Sequence, residues 1–136
     1  MMTLSQAETA IYTKIGQFTG VEKANLRIEN QPLNNGQPFK APTDKSWCKV
    51  FVQYADSQVV AIGNGPCIRD QGIISIQCFA PKNKGTLAMT TLCDSWRSFL
   101  QSFGVSHLEI YKVHAPQSMD DQDFYAKIIR AEFRVN

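Results

Sequence analysis

The sequence lacks the long apolar runs and targeting signals that define membrane and secreted proteins. No window approaches about 18 consecutive apolar residues, so we expect no membrane-spanning helix. The N-terminus, MMTLSQAETAIY, has no basic segment followed by an apolar one, so we expect no signal peptide. The 14 Lys and Arg nearly balance the 12 Asp and Glu, and no basic block argues for specific nucleic-acid binding.

Cysteine motifs and paired histidines are also missing. None of the four cysteines forms a C-x-x-C pair, and their spacing is wide: Cys48, Cys67, Cys78 and Cys93. Without a signal peptide, such cysteines are typically reduced and mostly buried, which is the prediction for this chain. His107 and His114 fall in one predicted strand at positions of opposite parity, so they are expected on opposite faces. We therefore predict no metal site.

The sequence APKNKGT, which begins at Ala80, has the residue types of a phosphate-binding loop in the wrong order. A P-loop needs a lysine after its second glycine, but here Lys84 precedes Gly85, and Ala80 occupies the place of the first glycine. The favoured interpretation is a strand-to-helix turn in which Gly85 relieves the backbone and Thr86 caps the helix. Lys82 and Lys84 lie near a helix N-terminus, where positive charge is unfavourable, so both are interaction candidates for an anionic partner.

Other catalytic patterns are absent as well. The serines lack a G-x-S-x-G context, and the acidic residues Asp120, Asp121 and Asp123 lie in a predicted solvated turn without the EF-hand pattern. We therefore expect no enzyme activity and no cofactor. The alternative that stays open is a small cytosolic enzyme that binds a nucleotide or a phosphate through the polar residues of APKNKGT.

Two amphipathic helices are predicted. The S-x-x-E pattern from Ser5 to Glu8 has the form of a capping box. The apolar stripe that follows it ends near Gly16 to Gly20 and consists of Ala7, Ile11, Ile15 and Phe18. The second helix is predicted over residues 86–103, with Gly104 placed to end it. Its apolar stripe consists of Ala88, Leu92, Trp96, Phe99, Leu100 and Phe103.

Strands are predicted where apolar and polar residues alternate. They cover residues 25–29, 47–54, 58–62, 73–80, 106–114 and 124–135, with Gly72 just before the fourth strand and an acidic turn at 118–123. Because strands come in runs, the predicted fold class is α+β, a mainly antiparallel sheet with two amphipathic helices packed on one face. The opposite face is predicted to be solvated and to carry Lys49, Gln53, Ser75, Gln77, Arg130 and Arg134.

The stretch IGNGPCIRDQGIISIQCFAPKNKGTLAMTTLCDSWRSFLQSF carries a family resemblance. It combines a turn of small residues, Arg69-x-x-Gly72, an alternating strand, Pro81-x-x-x-Gly85 and a helix with regularly spaced aromatics. In these features the chain resembles the tail terminator-like proteins of long-tailed bacteriophages, a family similar to the minor tail protein U of phage lambda. The N-terminal helix, Trp47 at the start of a long strand and the paired C-terminal strands extend the resemblance over most of the chain.

The resemblance implies a structural role without chemistry. Proteins of this family assemble as a homo-hexameric ring on the tail tube, stop its polymerisation and form the surface that joins the head. The expected partners are therefore further copies of this chain, the tail tube protein and a head–tail connector protein, with the free chain possible as a monomer. The expected location is the virion tail, after synthesis in the host bacterial cytoplasm. Arg69 is an interaction candidate because it lies in the resembling motif.

The 136 residues predict one domain, 1–136, with a long loop at about 30–46 that contains three prolines. Its apolar residues, Leu33 and Phe39, have two interpretations. Phe39 packs over the sheet edge of its own chain, or the loop is mobile in the free subunit and orders on assembly with Leu33 and Phe39 as anchors. A host-directed protein-binding module unrelated to virions is a further alternative.

Overall fold

The computed structural model describes residues 2–30, 41–55, 58–61, 67–105 and 107–136. Two helices are present, α1 (Leu4–Ile15) and α2 (Leu87–Gln101), with a short 3-10 turn at Lys23–Asn25. The eight described strands are β1 (Leu26–Ile28), β2 (Trp47–Tyr54), β3 (Gln58–Ala61), β4 (Cys67–Ala80), β5 (Gly104–Val105), β6 (Leu108–Val113), β7 (Gln117–Met119) and β8 (Tyr125–Val135). The anchor candidates Leu33 and Phe39, like most of the predicted 30–46 loop, lie outside the described residues.

The strands form one sheet in the order β1-β2-β4-β8-β6-β5, in which β3 also pairs with β4 and β7 with β8. Only the pairing of β1 with β2 is parallel among the described strands, and the others are antiparallel. The predicted α+β class with a mainly antiparallel sheet is therefore confirmed. Neither described helix has the length and hydropathy needed to span a bilayer.

The first helix begins two residues earlier than predicted. Thr3 is its N-cap, because the Thr3 Oγ1 accepts a 3.1 Å hydrogen bond from the Gln6 backbone N–H and the Gln6 Oε1 accepts one from the Thr3 N–H at 2.9 Å. Ser5 already lies inside the helix, where its carbonyl accepts a hydrogen bond from the Thr9 hydroxyl. The segments Thr3–Gln6 and Ser5–Glu8 overlap and both have the form of a capping box, and the more N-terminal one caps the helix. Gly16 ends the helix as predicted.

The fourth strand is longer than predicted, because Gly72 lies inside it rather than before it. A Cβ at Gly72 would lie 2.5 Å from the Cζ of Phe133 and 2.6 Å from the carbonyl oxygen of Gln53. The glycine therefore allows the Phe133 ring and a neighbouring backbone to approach the strand closely. It functions as a packing position and not as a turn.

The register of β2, β4 and β8 defines two faces of the sheet. Cys48, Ile76 and Ile129 belong to what we call the first face, and Lys49, Ser75 and Arg130 belong to the second face. The first face is almost wholly apolar, and its buried residues form one hydrophobic cluster with the buried residues of both helices. Because both helices contribute to this cluster, it forms the main core of the molecule.

The second helix is shorter than predicted and its buried stripe is shifted. Ser102 is the C-cap, whereas Gly104 begins β5 and does not end the helix. Ala88 is exposed, and the buried side chains of the helix are Met89, Leu92, Cys93, Trp96 and Leu100. The buried stripe thus includes Met89 and Cys93, since methionine and cysteine side chains pack in a core as well as aliphatic ones do.

The histidines do not share a strand, so the prediction that they lie on opposite faces of one strand was wrong. His107 lies in a turn before β6 with a φ of 66°, and His114 follows the end of that strand. The predicted acidic turn at 118–123 is partly a strand, since β7 occupies Gln117–Met119. These short segments were misassigned because their form depends on pairing with β8 and not on local periodicity.

The second face is less solvated than predicted. Ser75 is only 1% exposed, although Arg130 and Gln53 are exposed as expected. In the register, Ser75 lies between Phe51 of β2 and Arg130 of β8. Both neighbours have much larger side chains than serine, and the alternation of polar and apolar residues along the strand does not indicate this burial.

Candidate functional site: a cleft between two loops

The first wall of the candidate site is the loop from β4 to α2, which contains most of the APKNKGT stretch. Asn83 and Gly85 both have left-handed backbone conformations, with φ angles of 66° and 77°. Asparagine and glycine are the residues that adopt this conformation at least cost, so the loop is a tight turn as predicted. Thr86 occupies the N-cap position, but its side chain makes no capping hydrogen bond because its backbone is helical.

The second wall is the acidic loop between β7 and β8. The Asp121 Oδ2 accepts hydrogen bonds from the backbone N–H groups of Asp123, at 3.0 Å, and Phe124, at 2.9 Å. This side-chain-to-backbone arrangement fixes the turn that leads into β8. Asp120 and Asp123 are exposed beside it, so the loop presents negative charge on a fixed backbone.

The two loops meet although they are 40 residues apart. The Lys82 Nζ donates a 2.6 Å hydrogen bond to the Gln122 carbonyl oxygen, which joins the walls. Between them lies a cleft of about 650 Å³. We call it the two-loop cleft, and its lining consists of Lys82, Asn83, Gly85, Thr86, Met119, Asp120, Asp121, Gln122, Phe124, Tyr125 and Ala126.

Aromatic packing supports the inner side of the cleft. The rings of Trp47 and Phe79, which are paired residues of β2 and β4, stack with their centroids 4.1 Å apart. The ring of Phe124 meets both of them edge-on, at 5.6 and 6.1 Å. Because Phe124 also lines the cleft, this aromatic cluster holds the start of β8 against the end of β4.

The cleft lining carries both signs of charge, and the chain next to its first wall has an exposed lysine and an exposed leucine. Lys84 is exposed beside the first wall, and Asp120 is exposed in the second. Leu87, the first residue of α2, is 77% exposed. The lining itself contains no His, Cys or Ser, and Lys82 is engaged by a backbone carbonyl. These features suit contact with a polypeptide better than phosphate binding, because the acidic wall repels an anion.

The structure brings together two of the predicted interaction candidates, Lys82 and Lys84, and separates them from a third. Arg69 lies near the N-terminal end of β4, where its backbone pairs with Gln58, whereas the cleft lies at the C-terminal end of that strand. The sequence analysis missed Leu87 and Gln122. A signal for Leu87 was available, because this leucine falls off the apolar stripe of α2.

The three cysteines whose side chains are described contribute to the core and not to the cleft. Cys48, Cys78 and Cys93 are buried free thiols, as predicted, whereas the side chain of Cys67 lies outside the described part of the chain. The Sγ atoms of Cys48 and Cys78 are 3.7 Å apart. Hydrogen bonds to Cys48 and Cys93, together with burial, raise the pKa of Cys78. Within the described ranges, no three His, Cys, Asp or Glu side chains are grouped so that they could hold a metal ion.

Comparisons with known proteins define the fold and nothing more. No family model matches the sequence, and no curated protein matches it. Nine chains of known structure are similar in fold. One of them, whose name states no function, has a TM-score of 0.69 and 9% sequence identity, and the match covers 100% of this chain and 97% of that one. The architecture is therefore an established one over the full length of the chain.

Proposed function

We propose that this chain is a structural subunit that caps the tail tube of a long-tailed bacteriophage, ends tube polymerisation and forms the surface to which the head joins. Its partners in this role are further copies of itself in a hexameric ring, the tail tube protein and a head–tail connector protein. The observation that carries the proposal is the two-loop cleft, whose lining carries both signs of charge, together with a leucine that is 77% exposed at the start of α2. Such a mixed surface is typical of protein–protein contacts.

The packing of the helices supports the same proposal, in which both helices cover the first face and leave the second face open to partners. The Trp96 Nε1 of α2 lies 3.3 Å from the Cys48 Sγ on the first face. Phe18, just after α1, stacks on Trp96 with ring centroids 3.6 Å apart. Tyr54, on the same face as Cys48, donates a hydrogen bond from its hydroxyl to Glu8 of α1.

The alternative function, a nucleotide- or phosphate-binding enzyme, has less support. Lys82 donates to Gln122, and three acidic residues occupy the opposite loop. Calorimetry with Mg·ATP distinguishes the two functions. Binding in the micromolar range would favour the enzyme, and the structural proposal expects no measurable heat of binding.

The proposal is tested by tube assembly in vitro. Purified tail tube protein from the phage that encodes this chain is polymerised with and without the purified chain, and tube lengths are measured by electron microscopy. We expect short tubes with a ring at one end when the chain is present. The variant Leu87→Asp, which changes one exposed side chain and leaves the core intact, is expected to shorten the tubes less than the wild-type chain does. Tubes of equal length with and without the wild-type chain would contradict the proposal.

A further inference from the structure

Two cysteine side chains of the first face lie opposite each other on neighbouring strands. Cys48 of β2 is the direct cross-strand partner of Cys78 of β4, and their Sγ atoms are 3.7 Å apart. Both are free thiols that are fully buried. Since the two sulfur atoms of a disulfide are about 2.05 Å apart, these sulfurs are in contact without a bond between them.

The backbone hydrogen bonds of β2 show which kind of cross-strand pair the two cysteines form. The Glu29 N–H donates a 2.9 Å hydrogen bond to the Val50 carbonyl, so the polar backbone groups of Val50 point towards β1 and away from β4. Because this direction alternates along an antiparallel strand, Cys48, two residues earlier, has the same orientation. The Ala55 N–H, at a position of the other parity, donates to a carbonyl of β4 at 2.8 Å. Cys48 and Cys78 are therefore a non-hydrogen-bonded pair.

A pair of this kind has the geometry that a disulfide needs. The Cα atoms of a non-hydrogen-bonded pair are about 4.5 Å apart, which lies within the range of about 4.4–6.8 Å found for disulfides. The side chains project from the same face, so the sulfurs approach each other by rotation of the side chains without a change of register. Among the described cysteines, the competing partner is Cys93 of α2, whose thiol also hydrogen bonds with that of Cys78. A bond to Cys93 would draw a helix towards the sheet, whereas the bond to Cys48 stays within the sheet.

From this geometry we infer that Cys48 and Cys78 are an oxidative modification site, at which a peroxide or a small disulfide converts the two thiols into a cross-strand disulfide. With hydrogen peroxide, one thiol sulfur attacks a peroxide oxygen, and the O–O bond breaks to give a sulfenic acid and, with the thiol proton, one water. The second sulfur attacks the sulfenic sulfur, and hydroxide leaves with the second thiol proton as another water. Two thiols thus lose two electrons in total, and one peroxide is reduced to two waters.

The indole of Trp96 distinguishes the two sulfurs. Its Nε1 donates a hydrogen bond to the Cys48 Sγ at 3.3 Å. A hydrogen bond donated to a sulfur favours the thiolate, which is the form that attacks peroxide, so the first attack belongs to Cys48 and the second to Cys78. Because both thiols are buried, an oxidant reaches them only when the core opens locally, and the reaction is slow compared with that of an exposed thiol.

The disulfide holds β2 and β4 together within the first face. It restricts the unfolded chain between residues 48 and 78, and this restriction is the main way in which a disulfide stabilises a fold. The inference rests on the proposed function in one respect, which is the occasion for the oxidation. A tail protein is made in a reducing cytoplasm and then leaves the host with the particle, after which no cellular thiol keeps the pair reduced.

Mapping of the disulfide in the purified chain provides the test. One sample of native protein, freed of reductant, is treated with hydrogen peroxide. A second sample is refolded from urea in a buffer of reduced and oxidised glutathione, where the thiols are accessible and glutathione disulfide takes up the two electrons to become two glutathione thiols. Mass spectrometry identifies linked peptides before and after reduction. We expect one linked pair, which contains Cys48 and Cys78 and separates when the protein is reduced.

Two variants and an unfolding measurement complete the design. Cys93→Ala is the matched control, because it removes another buried thiol and leaves the pair, and it is expected to form the same link. Cys78→Ala is expected to form no link to Cys48. The oxidised wild-type chain is expected to unfold at a urea concentration about 1 M higher than the reduced chain. The linkage map of the wild-type chain decides between the possible pairs even if a variant is too unstable to fold.

A link between Cys48 and Cys78 in either sample, with a raised urea midpoint, supports the inference. The absence of this link from both samples, a link between Cys78 and Cys93 in its place, or a linked chain that unfolds at a lower urea concentration than the reduced one would each overturn it.

Failure of this inference and failure of the proposed function are distinguishable, because the disulfide is measured in the isolated chain. If the pair links but the chain does not shorten tail tubes, the modification site stands and the function falls. If the chain shortens tubes and the pair does not link, the function stands and the modification site falls.

Discussion

The two faces of the sheet are stabilised by different kinds of interaction. On the first face, Trp96 is fully buried, and its indole lies between Phe18 and the Cys48 thiol. On the second face, several exposed side chains interact with one another along the surface. Arg134 makes a bidentate ion pair with Glu109, at 2.9 and 3.1 Å, and its guanidinium lies 4.8 Å from the centre of the Tyr111 ring.

This difference shows that the two faces contribute unequally to stability. Burial of apolar surface scales with the area removed from water, so the first face contributes most of the stability. Ion pairs exposed to solvent contribute little, because water and salt screen them. The second face can therefore change its charges at small cost, which suits a surface that partners contact.

The largest expected loss of stability comes from removing a side chain at the centre of the first face. Trp96→Ala removes a fully buried aromatic side chain and is expected to lower the free energy of unfolding by about 3–5 kcal/mol. Trp47→Ala is the matched comparison, because Trp47 is half-buried on the second face, and it is expected to cost less. Urea unfolding measures both. Equal losses from the two variants would contradict the contrast between the faces.

The next effect tests how tightly the first face is packed. Gly72→Ala places a methyl group 2.5 Å from a Phe133 ring carbon and 2.6 Å from the Gln53 carbonyl, so we expect a loss of roughly 1–3 kcal/mol. Gly104→Ala is the control, because no heavy atom of the described residues, apart from the glycine and its chain neighbours, lies within 4 Å of its added Cβ. A Gly72→Ala protein as stable as the Gly104→Ala protein would contradict this, because it would mean that the Phe133 ring and the Gln53 backbone shift to accommodate the methyl group at little cost.

A pH titration examines the contact between α1 and the sheet. Burial first, and then the charges of Glu8 and Glu29, raise the pKa of Tyr12 from 10.0 to about 12. Between pH 10 and 12 the unfolded chain therefore loses this proton while the folded chain keeps it, so stability falls as the pH rises. We expect thermal denaturation to show a shallower fall for Tyr12→Phe than for wild type. An unchanged slope would assign the alkaline loss to other groups.

The smallest expected change in stability comes from a substitution on the second face. Glu109→Gln removes the ion pair with Arg134 and is expected to change stability less than Gly72→Ala does. The change should shrink further in high salt, where exposed charges are screened. Denaturation in low and high salt measures it. A large loss of stability that persists in high salt would mean that the second face also contributes substantially to the stability of the fold.

The sequence predicted the elements whose pattern is local and strong. The stripe of α1 and the alternation of β2 and β8 follow from side-chain periodicity, so their bounds lie within one or two residues of those observed. The errors fall where distant residues decide the outcome. Gly72 lies inside a strand, where its lack of a Cβ leaves room for the Phe133 ring, and Ser75 is buried between Phe51 and Arg130 of the neighbouring strands.

The candidate site was only half predictable for the same reason. The sequence indicated the basic turn at Lys82 and Lys84 and the acidic turn at Asp120 separately. No local pattern indicates that a lysine reaches the Gln122 carbonyl, because that contact depends on the pairing of Ala80 with Tyr125 at the ends of β4 and β8. The register of the sheet, which is a long-range property, forms the cleft.

The measurement that tests the central claim most directly is electron microscopy of lysates from the long-tailed bacteriophage that the proposed function assigns this chain to, with the gene for the chain deleted. The proposed function predicts tails of irregular, excessive length and filled heads that remain unattached, with normal particles restored when the gene is supplied in trans. Finished phage particles with tails of normal length, in the absence of the gene, would contradict it.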